Sequence, residues 1–256
     1  MNLIQNLIVL AKNPLVVTRN KQHILYLSHM RANTSLIGHI LGDNPEVEGY
    51  YEMHMGYFSW KSLVRQKLIY LNEHAAKPMG KFFFDKVLHN EHGVTDAILT
   101  HPSVNLIISI REPISTVKSI MAQYTKRNPE HECATSDGAV QYYISRLAML
   151  CKYAQSAKGK YTFFEAEKIT QQPDKTLNGL SKALSLQYPL KNEYKPRAKT
   201  GVGTSGDHSA YLKAGTIVNK KSDYSDITLS EENIESLKCS YETSLSLLIK
   251  HAKVAL

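Results

Sequence analysis

The chain has 256 residues, 43% of them hydrophobic, with a formal net charge of +8. That is ordinary globular composition and enough apolar material for one sizeable core, so a single domain spanning 1–256 is expected. No run approaches the ~20 apolar residues of a membrane span, and the scattered cations are not interleaved with aromatics as an RNA-stacking face requires.

A basic excess of this size points to an anionic ligand, nucleic acid or an acidic membrane surface, although charge alone is also explained by solubility. Cys133, Cys151 and Cys239 are odd in number, far apart and in no metal-ligand spacing. That pattern predicts free thiols, a reducing compartment and no metal site. A cytoplasmic location is the corresponding expectation.

Met1 to Leu10 reads as an amphipathic helix packed on the body; Lys12 follows at once and no small-residue cleavage pattern is present. His23 to Leu27 reads as an apolar strand. It runs into a polar turn, His29-Met30-Arg31-Ala32-Asn33-Thr34-Ser35, and then a helical run from Leu36 to Leu41. Strand, tight turn and helix N-terminus in that order make an anion site. The first helical N–H groups have no partners inside the helix, and the helix dipole adds positive potential. Arg31 adds a planar donor fork suited to phosphate or sulfate. Thr34 and Ser35 are expected to cap the helix and to offer hydroxyls to the same anion. The turn has no glycine and no lysine, so it is not a Walker A loop. Taken alone it is also what an ordinary βα connection looks like. Asn33 stands where a left-handed residue is expected, a conformation that Asn tolerates better than most residues.

Helical patterns follow at Tyr57 to Leu71, Glu91 to Leu99, Ile114 to Tyr124 and Ala139 to Ala157, alternating with strands at Lys81 to Phe84, Asn105 to Ile110 and Tyr161 to Phe164. Alternation of this kind predicts an α/β fold with a parallel sheet flanked by helices, whose ligands bind beyond the carboxyl ends of the strands. Arg111 ends the strand Asn105 to Ile110, Pro113 opens the next helix, and Ser115 and Ser119 share one helix face. Arg111 and Ser119 are therefore placed to hold one phosphate from two sides; an arginine paired with a carboxylate and a solvated serine is the plainer alternative. Lys191 to Ser225 reads as a long C-terminal loop. A terminal helix follows, capped by Ser230 and apolar at Ile234, Leu237, Tyr241, Leu245 and Leu248.

A turn with Arg before Thr-Ser, followed some 80 residues later by strand-Arg-Glu-Pro-x-x-x-x-x-Ser, resembles the sulfotransferases that use 3′-phosphoadenosine 5′-phosphosulfate (PAPS), in particular the carbohydrate and tyrosylprotein branch in its bacterial form. Four further segments agree in order: Asn44 to Glu52, Phe82 to Lys86, Thr162 to Glu165, and the Gly-rich stretch Lys199 to Ser209. The resemblance covers about Ile24 to Val218 and implies a P-loop-like sheet.

It assigns Arg31, Ala32, Asn33, Thr34 and Ser35 to the 5′-phosphosulfate, Arg111 and Ser119 to the 3′-phosphate, and Lys199, Thr200 and Gly201 to a loop over the nucleotide. It makes Glu52 the base and puts Arg31 and Lys86 on the sulfuryl and bridging oxygens, with PAP as product and no metal. His54 and His89 are the rival bases. Asp85 is read as a possible partner of Lys86. The family usually has Gly at the position of Asn33 and Asp at that of Glu112. The implied activity is sulfuryl transfer to a hydroxyl acceptor, of saccharide, lipid-linked or small-molecule type. Tyr50, Tyr51, Tyr57, Trp60, Tyr124 and His131 are candidates to line its side of the cleft. The alternatives are a nucleotide or small-molecule kinase on the same scaffold and a non-catalytic nucleotide-binding protein; nucleic acid is a distant third partner, resting on charge alone.

Overall fold

The computed structural model describes residues 3–18, 21–197, 210–219 and 222–256. Helices α1 (Leu3–Lys12) and α2 (Pro14–Thr18) lead into β1 (Gln22–Leu27), and α3 (Thr34–Asp43) follows the first turn. Next come β2 (Val47–Glu48), α4 (Trp60–Glu73), β3 (Phe82–Val87), α5 (Asp96–Leu99) and β4 (Val104–Ile110). The chain continues through α6 (Pro113–Arg127), α7 (Ser136–Ser156), β5 (Tyr161–Glu165), α8 (Lys168–Gln171) and α9 (Pro173–Ala183), and ends with α10 (Glu231–His251) and β6 (Val254–Ala255).

The strands form one parallel sheet in the order β2-β3-β1-β4-β5-β6. After β1 the chain turns one way along the sheet and after β3 it crosses to the other side of β1. The topological switch point, where such sheets bind ligands, therefore lies at the carboxyl end of β1.

Alternation along each strand divides the core. Ile24, Tyr26, Phe84 and Ile107 face α3 and α9, while Leu25, Leu27, Ile108 and Ile110 face the layer that holds α6, α7 and α10. Both faces are covered, which is why the strands are apolar throughout rather than alternating.

Two expected helices are shorter than their patterns. The run from Tyr57 becomes helical only at Trp60, because Tyr57 donates its N–H to Gly93 O at 2.8 Å and its carbonyl accepts from Thr95 N at 3.0 Å. The same bridge, Tyr57 to Val94, occupies the first half of the run from Glu91 and leaves only Asp96–Leu99 helical. The dyad β2, the two-residue β6 and helix α9 are elements that the sequence reading did not pick out. The cap at Ser230 is as expected: its side chain accepts from Asn233 N. Cys133, Cys151 and Cys239 are free thiols. Among the described residues, no helix is long and apolar enough to cross a membrane.

Candidate active site

The turn after β1 is built by two left-handed residues, Arg31 at φ 63° and Asn33 at φ 55°. Asn33 is the N-cap of α3 by position, but its side chain makes no capping bond and donates instead to Ala166 O at 2.9 Å. Thr34 and Ser35 are the first residues inside the helix, not its caps. The first-turn N–H groups are thus left without a side-chain cap and lie beside a cavity of about 880 Å³ at the carboxyl edge of the sheet.

Residues from successive strand ends converge on that cavity. Arg31, Asn33, Thr34 and Ser35 follow β1; Lys86 and His89 come from the end of β3; Arg111 and Ser115 follow β4. Lys86, nearly inaccessible, sends its Nζ to the hydroxyl of Ser35 at 3.2 Å, so the cation of β3 meets the N-terminus of α3. The register makes this possible, since Lys86 lies beside Tyr26 in adjacent strands.

Arg111 NH1 donates to the carbonyl of Arg31 at 2.8 Å and NH2 to Ser115 Oγ at 3.2 Å, which locks the two loops together. Its Nε is buried with no hydrogen-bond partner and lies 4.0 Å from Glu167. Arg31 reaches across to α6, where Nε donates to Ser119 Oγ at 2.9 Å and NH1 to Gln123 Oε1 at 3.2 Å. Arg31, Arg111 and Ser119 therefore belong to one network. Ala32 is fully buried beneath the turn. Glu112 accepts from the N–H groups of Ile114 and Ser115 and caps α6, a role for which either acidic residue serves.

Glu52 enters from the segment after β2. One of its oxygens, Oε1, is buried without a hydrogen-bond partner and lies 3.7 Å from His54 Nδ1. Asp85 holds this segment. Its Oδ1 accepts from Met53 N at 2.9 Å and from Lys86 N at 2.8 Å, and its Oδ2 accepts from the hydroxyl of Tyr57 at 2.6 Å. The bond between Asp85 and Lys86 thus runs through the Lys86 backbone, not through its ammonium. Complete burial pushes the Asp85 carboxyl up to about 7. His54 and His89 also line the cavity, and burial lowers the pKa of His89.

Several contributors carried no sequence signal. Arg146, buried on α7, donates to Ser28 O at 2.8 Å, Val87 O and Asn90 Oδ1, tying the ends of β1 and β3 together. His29 donates Nδ1–H to Met30 O and accepts Arg111 N–H on Nε2 at 2.9 Å; burial lowers its pKa to about 3. Tyr224 meets Ser119 Oγ at 2.9 Å. An α/β pattern places residues near strand ends, but it does not say which core cation will satisfy the terminal carbonyls.

Of the aromatic candidates, Tyr124 lines the cavity and stacks on His131 at 4.0 Å between centroids. Tyr57 is core, and Trp60 is exposed. Lys199, Thr200 and Gly201 lie outside the described residues; Tyr194, Leu212 and Thr216, from the flanking parts of the same long segment, close one wall of the cavity.

No protein-family model matches the chain, and no curated relative matches it at a significant level. Among solved structures, a sulfotransferase domain from the curacin biosynthetic pathway matches with a TM-score of 0.52 at 13% identity, covering 87% of this chain and 98% of that one. A sulfotransferase from Alicyclobacillus acidocaldarius matches with a TM-score of 0.47 at 9% identity, covering 90% of this chain and 94% of that one. The first of these likenesses shows the fold: a parallel sheet flanked by helices, of the kind that the curacin domain has.

Proposed function

We propose that this protein transfers a sulfuryl group from PAPS to a hydroxyl acceptor. The observation that carries the reading is the single cavity holding two basic clusters together with Glu52. Its fold, shared with a solved sulfotransferase domain, supports the same class of reaction.

The donor has two anionic ends, and the cavity has two sets of groups suited to them. The uncapped N-terminus of α3, with Thr34, Ser35 and Lys86, would hold the 5′-phosphosulfate. Arg111, which lines the cavity, would hold the 3′-phosphate, and Ser119, buried and outside the lining, would hold Arg31 in place. Arg31 joins the two sets through its carbonyl, which accepts from Arg111. When bound, PAPS supplies the sulfuryl group.

The protein's own contribution is positional and electrostatic. Lys86 and Arg31 place positive charge where the transferred group and the leaving phosphate carry negative charge. Glu52, which lines the cavity, takes the acceptor's hydroxyl proton on its carboxylate. Asp85 keeps Glu52 and Lys86 in register by gripping the backbone beside each. The acceptor enters on the side of His54, Tyr124 and Arg127, a mixed polar and aromatic wall suited to a saccharide or another polyhydroxylated acceptor.

The direct test is incubation with radiolabelled PAPS and pools of hydroxyl acceptors. Label is expected to move to acceptor in the wild type and not in Arg31→Ala. If Arg31→Ala transfers at the wild-type rate, the assignment of the turn fails.

A further inference from the structure

We infer that the outer face of α1 and the start of α2 is a docking surface for an anionic lipid bilayer. Helix α1 carries a broad apolar face with Ile4, Leu7, Ile8 and Leu10, and a face of that kind is normally buried. Here only one stripe is covered: Val9 and Val17 are buried, with Val16 partly so, against Tyr70, Leu71 and Phe83. Ile4, Leu7, Ile8, Leu10 and Leu15 remain between 38% and 67% exposed. At ten residues α1 is about 15 Å long, half of a bilayer's hydrocarbon core, so it lies in an interface rather than crossing one.

Charge identifies the partner. Lys12 is the only charged residue between Leu3 and Thr18, and it is exposed at the last turn of α1. Helix α4, which packs on α1, adds the exposed Lys61 and Arg65 against one exposed acid, Glu73. An isologous contact with a second copy sets the same patch against itself and brings these cations together. An anionic lipid surface instead accepts the leucines and isoleucines into its headgroup layer and meets the cations with opposite charge.

The test is flotation of the full chain with vesicles of phosphatidylcholine alone and of phosphatidylcholine mixed equally with phosphatidylglycerol. Binding to the mixed vesicles is expected, with little to the neutral ones. Leu7→Glu/Ile8→Glu should abolish it, and Lys12→Gln should weaken it about fivefold. Both variants change exposed positions away from the cavity, so their melting temperature and their binding of adenosine 3′,5′-bisphosphate should equal wild type. Those readouts separate this surface from the proposed active site. Failure to float with either vesicle overturns the inference. So does equal binding to both vesicles, or a concentration-dependent dimer that Leu7→Glu/Ile8→Glu dissolves.

Discussion

Glu52 and Asp85 are two carboxylates with opposite environments, and that difference assigns their work. Asp85 is fully buried and spends its oxygens on two backbone N–H groups and the Tyr57 hydroxyl. Glu52 lines the cavity and leaves Oε1 without a hydrogen-bond partner. A group that accepts a proton during turnover needs a free lone pair, and a group that holds geometry needs occupied ones. Glu52→Gln is therefore expected to lower kcat about a hundredfold or more while leaving cofactor affinity unchanged. An unchanged rate would move the base to His54 or His89.

Asp85→Asn should behave differently, because an amide can accept both N–H bonds on its oxygen and donate to Tyr57. Asp85 carries a pKa of about 7 in the folded chain against an ordinary value of 3.8. Between those values the folded state binds the extra proton, so this group makes stability fall as pH rises, by up to about 1.4 kcal/mol per pH unit. His23 and His29, lowered by burial to about 4 and about 3, act in the opposite sense. Each makes stability fall as pH drops below 6.5. Removing the Asp85 carboxyl should leave the histidines unopposed and steepen the loss of stability from pH 6 to pH 4, as read by urea unfolding at each pH. An identical profile in Asp85→Asn would contradict the buried-carboxyl assignment.

At the scale of elements, the turn between β1 and α3 shows how a short sequence leaves a helix N-terminus open to a cavity without glycine. Two left-handed residues reverse the chain, and the second gains from its own side chain what glycine would have gained from having none. Asn33→Gly exchanges the Ala166 hydrogen bond for backbone freedom and should shift stability by no more than about 1 kcal/mol. Asn33→Val loses the bond and forces a β-branched residue to positive φ, which should cost about 2 kcal/mol or more in denaturant unfolding. Equal effects of the two substitutions would show that the left-handed backbone is not what Asn33 supplies.

The central strands and the longest helices were legible because burial on both faces makes β1, β3, β4 and β5 continuous apolar runs and because α6 and α7 keep a 3.6-residue period. The false helical starts at Tyr57 and Glu91 have one cause: two segments far apart in sequence pair across Tyr57 and Val94, and no local pattern records that pairing. Within the site, Arg31, Ser35, Lys86 and Arg111 were readable because strand ends are where this architecture binds ligands. Arg146, His29 and Tyr224 were not, since each acts through contacts made by the folded backbone.

For the molecule as a whole, the choice between sulfuryl donor and ATP turns on where its cations stand. A magnesium-dependent phosphoryl-transfer site needs a loop lysine at the β and γ phosphates and ligands for the metal. Here the turn holds Arg31, and the lysine that meets the N-terminus of α3 is Lys86 from another strand. On the proposed reading, the basic group around Arg111 meets a 3′-phosphate, which ATP lacks. Adenosine 3′,5′-bisphosphate at about a hundred times its dissociation constant should add about 2.7 kcal/mol and raise the melting temperature by about 5 °C or more. ATP with magnesium, at the same concentration, should raise it less. In Arg111→Ala the bisphosphate should lose roughly ten- to a hundredfold in affinity, the cost of a hydrogen bond to a charged group, whereas AMP should lose little. Equal losses for the two ligands would detach Arg111 from the 3′-phosphate, and a larger shift with ATP and magnesium would favour the kinase reading. Either result leaves the fold as described and reassigns the cavity.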